Sequence, residues 1–461
     1  MFPVSGKKAR ILLLAYVALL WVFSQESYSQ ELFSQELFSK ESYSKESYSK
    51  GSISPRLEPS STAKRFASLE EPLGLQDFID ASLMFSIVGE KYADRGRDKM
   101  KALIENLKTE TASISDPLSL AEEILIYMHR TVLRVYREQV TELDALLEKG
   151  EYNCVSSAVL YAILCRSLGL TVKGVRTKDH AFCLLRLDNK SYDVETTNIY
   201  GFNPGEKKEF FDQFGKITGF SYVPPSHYGN RTETGDLGLL ALILQNRSSL
   251  LTRQGDYIEA VGPAVDAYTL VSDNDGFDKL MLVFVNAASW YNVNNLYEMG
   301  ISFIDAAATA YGRDARLGKA KGDLLHNWIV QRIETGDLNE AKRMINRYFK
   351  SGNLPQTEQR DLLIYIYQIE AKALAGDQGN LAAYSHIQAG VDELGSDNRL
   401  LKSRGVYKYN FEVEVHNAAV TAYNAKDYVG AKRILEAALS KLSGSERLKT
   451  DLELVEKMLS E

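Results

Sequence analysis

Cysteine is scarce in this chain, with three in 461 residues, at positions 154, 165 and 183. The six histidines are scattered, and there is no CxxC pair and no HExxH. These absences argue against a structural or catalytic zinc site, so neither a metal nor a cofactor is expected. Positive charge is not in excess either. Lys+Arg of 54 against Asp+Glu of 61 leave a net charge of −7, and no basic stripe carries interleaved aromatics. A dedicated nucleic-acid partner is thereby disfavoured. The apolar run near the N-terminus, "ILLLAYVALLWVF" at 11–23, has 13 residues, fewer than the roughly 20 that cross a bilayer comfortably.

What is present is ordinary for a soluble globular protein: 45% hydrophobic and 25% charged residues. The length allows two or three domains, each with its own core. "KKAR" at 7–10 followed by the short apolar run reads as a signal peptide over 1–24. Val22 and Ser24 supply the small residues before a cut. The alternative is an uncleaved anchor that associates with a membrane. Both place the bulk of the chain outside the cytoplasm, exported to a periplasm or cell envelope.

A five-residue repeat follows, from SQESY to SKESY over 24–48. Its period matches neither 3.6 nor 2, so no face collects its Tyr, Phe and Leu. Residues 25–65 are therefore expected to form a disordered tether. Over 66–232 two amphipathic helices, the second starting at Asp116-Pro117, lead into a helix and short strands, an α+β arrangement. His129 lies on the second helix without a partner nearby in sequence and reads as a packed or solvated residue.

From 233 to 461 a bend signature recurs: "GDYIEA" at 255, "NNLYEM" at 294, "GDLNEA" at 336, "GNLAAY" at 379 and "KDYVGA" at 426. The steps of 39, 42, 43 and 47 residues predict stacked helical hairpins, an all-α solenoid. The bends resemble those of the tetratricopeptide repeat, although the steps exceed that family's 34 residues.

The chemistry concentrates in "EYNCVSSAVLYAILCRSLGL", residues 151–170. Asn153 is a good N-cap and Gly169 a good C-terminal stop, so Cys154 takes the first helical position. There the helix dipole and free N–H groups favour a thiolate and stabilise an oxyanion. Cys165 is three turns along, too far for a disulfide, and Cys183 points to the sheet face opposite His180; both read as packing residues. A thiolate catalyst requires a base, and the base an orienting acceptor. His180 opens "HAFCLLRL", and "YDVETTN" returns after a turn at Asp188-Asn189. A two-residue loop there sets His180 opposite Thr197. Glu195 is then the diagonal neighbour and Asp193 one pair further away. Glu195 is the preferred acid and Asp193 the reserve.

The segments "NCVSSAVLYAILCRSLGL", "HAFCLLRL" and "YDVETTNIYGF" resemble the transglutaminase-like cysteine-enzyme superfamily, a papain-like fold. The resemblance implies a transglutaminase-like domain over 66–232, with Cys154 as nucleophile, His180 as base and Glu195 as acid. It differs in having Glu where that family usually has Asp, and Tyr152 is the nearest aromatic to assist an oxyanion. The implied activity is acyl transfer on an amide, as protease, amidase or transamidase, with the repeats binding a protein or peptide substrate or partner. The competing reading is a non-catalytic envelope scaffold carrying a degenerate module of this kind.

Overall fold

The computed structural model describes residues 54–86, 90–177, 180–205, 210, 215–217 and 231–460. The expected leader at 1–24 lies outside these, as does the tether up to residue 53. The rest of the tether is not loose. Arg56 donates to Asp266 Oδ1 at 2.9 Å and to the Gly262 carbonyl at 2.9 Å, and the Ser60 N–H donates to Asp266 at 2.8 Å. Ser60 then caps a short helix, α1 (Ser61–Ala67), whose Phe66 is fully buried. The low-complexity composition gave no hint of these partners, some 200 residues away.

Three longer helices follow: α2 (Leu75–Ser86), α3 (Glu90–Glu110) and α4 (Pro117–Thr131). Asp116 caps α4 by accepting from the Ser119 N–H at 2.9 Å, and Pro117 occupies a first-turn position where no N–H is missed. Strand β1 (Val135–Tyr136) pairs in parallel with β2 (Glu151–Tyr152), and α5 (Leu143–Lys149) lies between them. The second strand delivers the chain directly into α6 (Cys154–Ser167). Every residue from Val155 to Cys165 is buried, as fits a helix that is apolar all round.

Four antiparallel strands, β3 (Val172–Arg176), β4 (Ala181–Leu187), β5 (Lys190–Val194) and β6 (Thr232–Thr234), form a sheet in the order β5-β4-β3-β6. Asp188 and Asn189, both with positive φ (48° and 63°), make the tight turn between β4 and β5. That turn sets Leu187 against Lys190 and Cys183 against Val194. One sheet face, with Val172, Ala181, Cys183 and Leu185, joins α6 in the main core. Val175, Phe182 and Leu184 cluster separately.

The expected boundary near residue 232 is not a break in packing. Helix α7 (Asp236–Gln254) lies on α2, α6 and β3, and its Leu239, Leu240 and Ile243 belong to the same core. Arg166, near the end of α6, grips the start of α7 with two bonds to Asp236, at 2.6 and 2.8 Å. Asp236 also accepts from the Leu73 N–H at 2.7 Å. Removing one partner of such a buried pair strands the other's charge, at about 3–5 kcal/mol. Asp236→Ala is therefore expected to lower stability by about that amount in thermal or denaturant unfolding. A loss below about 1 kcal/mol, the range of exposed pairs, would show that this grip is not structural.

The remaining chain is helical: α8 (Val261–Leu270), α9 (Asn274–Val293), α10 (Tyr297–Tyr311), α11 (Ala315–Glu334), α12 (Leu338–Lys350), α13 (Gln356–Gln378), α14 (Asn380–Leu394), α15 (Asn398–Asn424), α16 (Tyr428–Leu439) and α17 (Glu446–Ser460). The bends foreseen from sequence fall between helices. Gly255, Asn295, Gly336, Gly379 and Lys426 all take positive φ there. Ala260 and Ala341, just after two of the bends, are fully buried. Helices pack chiefly on their sequence neighbours, and the interior divides into a succession of small cores, as stacked repeats require. The protein is thus mostly helical, with a small antiparallel sheet and a helical-repeat region.

Candidate functional site

Asn153 fixes the start of α6. Its Oδ1 accepts from the N–H groups of Val155 (2.9 Å) and Ser156 (3.0 Å), and Ser156 Oγ accepts from the Asn153 N–H at 3.0 Å. This reciprocal cap uses two first-turn donors. The N–H of Cys154 itself has no acceptor among the described residues, so it can serve an incoming oxyanion. At the other end Gly169, with φ 80°, lets the Leu170 N–H reach back to the Cys165 carbonyl at 2.9 Å.

Of the three thiols only Cys154 is partly exposed. Cys165 is fully buried and pushed up to about 12 by its burial. Cys183 is likewise buried and raised, and donates to the Ala158 carbonyl at 3.4 Å. The positions of these two thiols suit packing, not reaction with solutes.

His180 lies just before β4, with the Cys154 side chain beside its ring on one side. On the other, its Nε2 lies 2.6 Å from Glu195 Oε2, which leaves Nδ1 as the nitrogen for the sulfur. Burial alone would lower the His180 pKa. The Glu195 charge and hydrogen bond, together with the Cys154 contact, outweigh it and hold the pKa well above the ordinary histidine value. The second carboxylate oxygen, Oε1, accepts from the Thr197 N–H at 3.2 Å and the Thr197 hydroxyl at 2.7 Å. Glu195 is only 4% exposed, so its carboxylate is held in one orientation.

The pairing register places Thr197 opposite His180 by continuation, but β5 ends at Val194, and Glu195 belongs to the loop that follows. That loop folds on itself. The Glu195 N–H donates to the Gly201 carbonyl at 2.8 Å, and the Gly201 N–H to the Asn198 carbonyl at 2.9 Å. A Cβ on Gly201 would come within 1.9 Å of the Glu195 carbonyl oxygen, so no larger residue fits there. The expected reserve acid, Asp193, is engaged elsewhere: Arg231 forms an ion pair with it, with one bond at 3.0 Å. Its charge is matched away from His180.

Below the acid loop are residues that sequence reasoning passed over. His129 is pushed down to about 4 by burial and is therefore neutral at physiological pH. Because a carbonyl only accepts, its Nε2–H donates to the Thr196 oxygen, at 3.1 Å. Ser157 and Thr196 hydroxyls meet at 2.8 Å, and the Tyr152 hydroxyl donates to the Thr197 carbonyl at 3.4 Å. Tyr152 is buried in this support, contrary to the oxyanion role suggested for it. Tyr136, set edge-on to Tyr152, lines the cleft in its place. The β1–β2 pairing explains the exchange, since it brings two tyrosines together from 16 positions apart. Only a periodicity spanning both strands could have signalled it, and two-residue strands have none.

The cleft holds about 520 Å³. Tyr136, Gln139, Asn153, Cys154 and His180 line it together with residues of α7, α8 and α9, including Leu242, Tyr268 and Leu282. Among the described residues, no group of three or more His, Cys, Asp or Glu converges as a metal site would require.

No protein-family model matches this chain. No curated protein matches it either. Among solved structures it is similar to menin, in a crystal structure described as revealing the binding site for Mixed Lineage Leukemia (MLL) protein. The TM-score is 0.30 at 14% identity, over 75% of this chain and 94% of that one. The transglutaminase-like assignment is overturned. Neither it nor the tetratricopeptide resemblance is matched by a family, and the fold is mostly helical with only a small sheet. The motifs behind both were short and local: a capped helix, a hairpin and a Gly-x-Tyr bend occur wherever the same turns are built. The Cys154–His180–Glu195 cluster stands on its own geometry.

Proposed function

We propose that the protein is an exported, cysteine-dependent acyl-transfer enzyme that cleaves amides. The observation that carries this reading is the partly exposed thiol at the start of α6, beside a histidine that a buried carboxylate orients. Export is supported by the charged start and short apolar run at 7–23.

In the first step the Cys154 sulfur, its proton held on the His180 imidazolium, attacks the amide carbon. The C–N bond then breaks as His180 gives that proton to the leaving nitrogen. A thioester remains on Cys154. Water, deprotonated by His180, adds to it, and the C–S bond breaks to release a carboxylic acid. An amine in place of water would give a transamidation. The cleft is open to solvent, which favours hydrolysis. The Cys154 N–H and the polar side chains of Tyr136 and Gln139 are the donors available to the oxyanion.

Iodoacetamide at mildly acidic pH is expected to label Cys154 and neither of the other thiols, as read by peptide mass mapping. His180→Ala should slow that labelling. Equal labelling of all three cysteines, or none at 154, would remove the basis for a nucleophile.

A further inference from the structure

The cleft at Cys154 does not end at the thiol. Lys279 and Leu282 of α9 line it, and the same two residues line a second groove, of about 570 Å³, between α9 and α11. The groove follows α9 from Lys279 to Asn292, which is about 20 Å at 1.5 Å per residue. An extended chain covers that distance in roughly six residues. Along the way the charges are already matched: Arg316 with Asp278 at 3.0 Å, Lys319 with Asp323 at 3.3 Å, and Lys279 with Asp275 at 2.8 Å. Between them the lining is small or apolar, from Val285 and Ala288 to Ala320. Leu282, at the junction of the two cavities, leaves 58% of its surface exposed.

A groove with neutralised charge, small side chains and this length suits a polypeptide main chain better than a polyanion or a compact small molecule. We propose that the substrate is an extended polypeptide, and that about six residues on one side of the scissile amide lie in the α9–α11 groove. The assignment rests on the amide-cleaving reading above. Continuity with the cleft that holds the nucleophile is what selects this occupant.

The test uses the full chain with two mixtures of N- and C-capped peptides, about 14 and about 6 residues long, with cleavage followed by mass spectrometry. A six-residue peptide cannot span both the scissile bond and the groove. The longer set is expected to be cleaved at least about tenfold faster, the size of a modest loss of binding contacts. Ser289→Trp, at an exposed position in the groove, should bring the long-peptide rate down toward the short one. Val429→Asp, exposed on the remote α16, should leave both rates unchanged. Equal rates for the two lengths, or a Ser289→Trp variant as fast as wild type on the long set, overturns the groove assignment while leaving amide cleavage intact. Cleavage of neither set, with Cys154 still selectively alkylated, overturns the enzyme reading and the groove with it.

Discussion

Cys154→Ala is expected to abolish amide cleavage, with a loss of at least about 10⁴-fold in kcat. Among the described residues no other thiol lines the cleft. The other two thiols are fully buried, and Cys165 lies three turns along the same helix. The substitution removes no cap, because Asn153 and Ser156 hold the helix start between them. Thermal unfolding should therefore match that of the wild type. Residual turnover above about one part in 10³ would mean that the reaction runs elsewhere.

The second large effect is expected at Glu195. Thr197 donates to Oε1 through a backbone N–H, which cannot reverse its role. In Glu195→Gln the amide oxygen must take that place, so the NH2 group faces His180. His180 Nε2 then has to accept, and its proton moves to Nδ1, toward the sulfur. That is the wrong tautomer for a base, and comparable exchanges cost about 10⁴-fold. A loss of about 10²–10⁴-fold in kcat is expected, less than for the nucleophile.

The same variant should change the pH profile. Glu195 holds the His180 pKa above its ordinary value, so the imidazolium persists past pH ~6.5 and is lost only as pH climbs through the raised value. The stability that the pair contributes is likewise present below about pH 6.5 and lost on the alkaline side. Without the carboxylate the alkaline limb of kcat/KM should move toward acid. An alkaline limb that stays in place would show that Glu195 does not govern His180.

Local features of this site were legible in the sequence because local rules determine them. Asn153 and Gly169 mark the ends of α6, and the Asp188-Asn189 turn sets the β4–β5 register, although Glu195 reaches His180 from the loop beyond β5. The interhelix bends at 255, 336 and 379 carry their own glycines. What escaped the sequence depends on residues distant along the chain. Arg231 takes Asp193 from 38 positions away, and Asp236 closes on Arg166 from 70. His129 supports Thr196 across 67 positions. Such pairings leave no periodic trace, and a lone histidine on an amphipathic helix looks the same whether it supports a loop or faces water. The family resemblance failed for a related reason: short segments encode turns, not ancestry.

The Arg166–Asp236 grip has a consequence for how the proposed activity could be moved or copied. The nucleophile's helix is fastened at its far end to the first helix of the segment that also walls the cleft. The chemistry is therefore not a portable cassette. Grafting residues 66–232 onto another scaffold would leave Arg166 without its partner and the cleft without one side. Changes in the helices around 240–290 would be felt at the thiol, and the two segments are bound to diverge together.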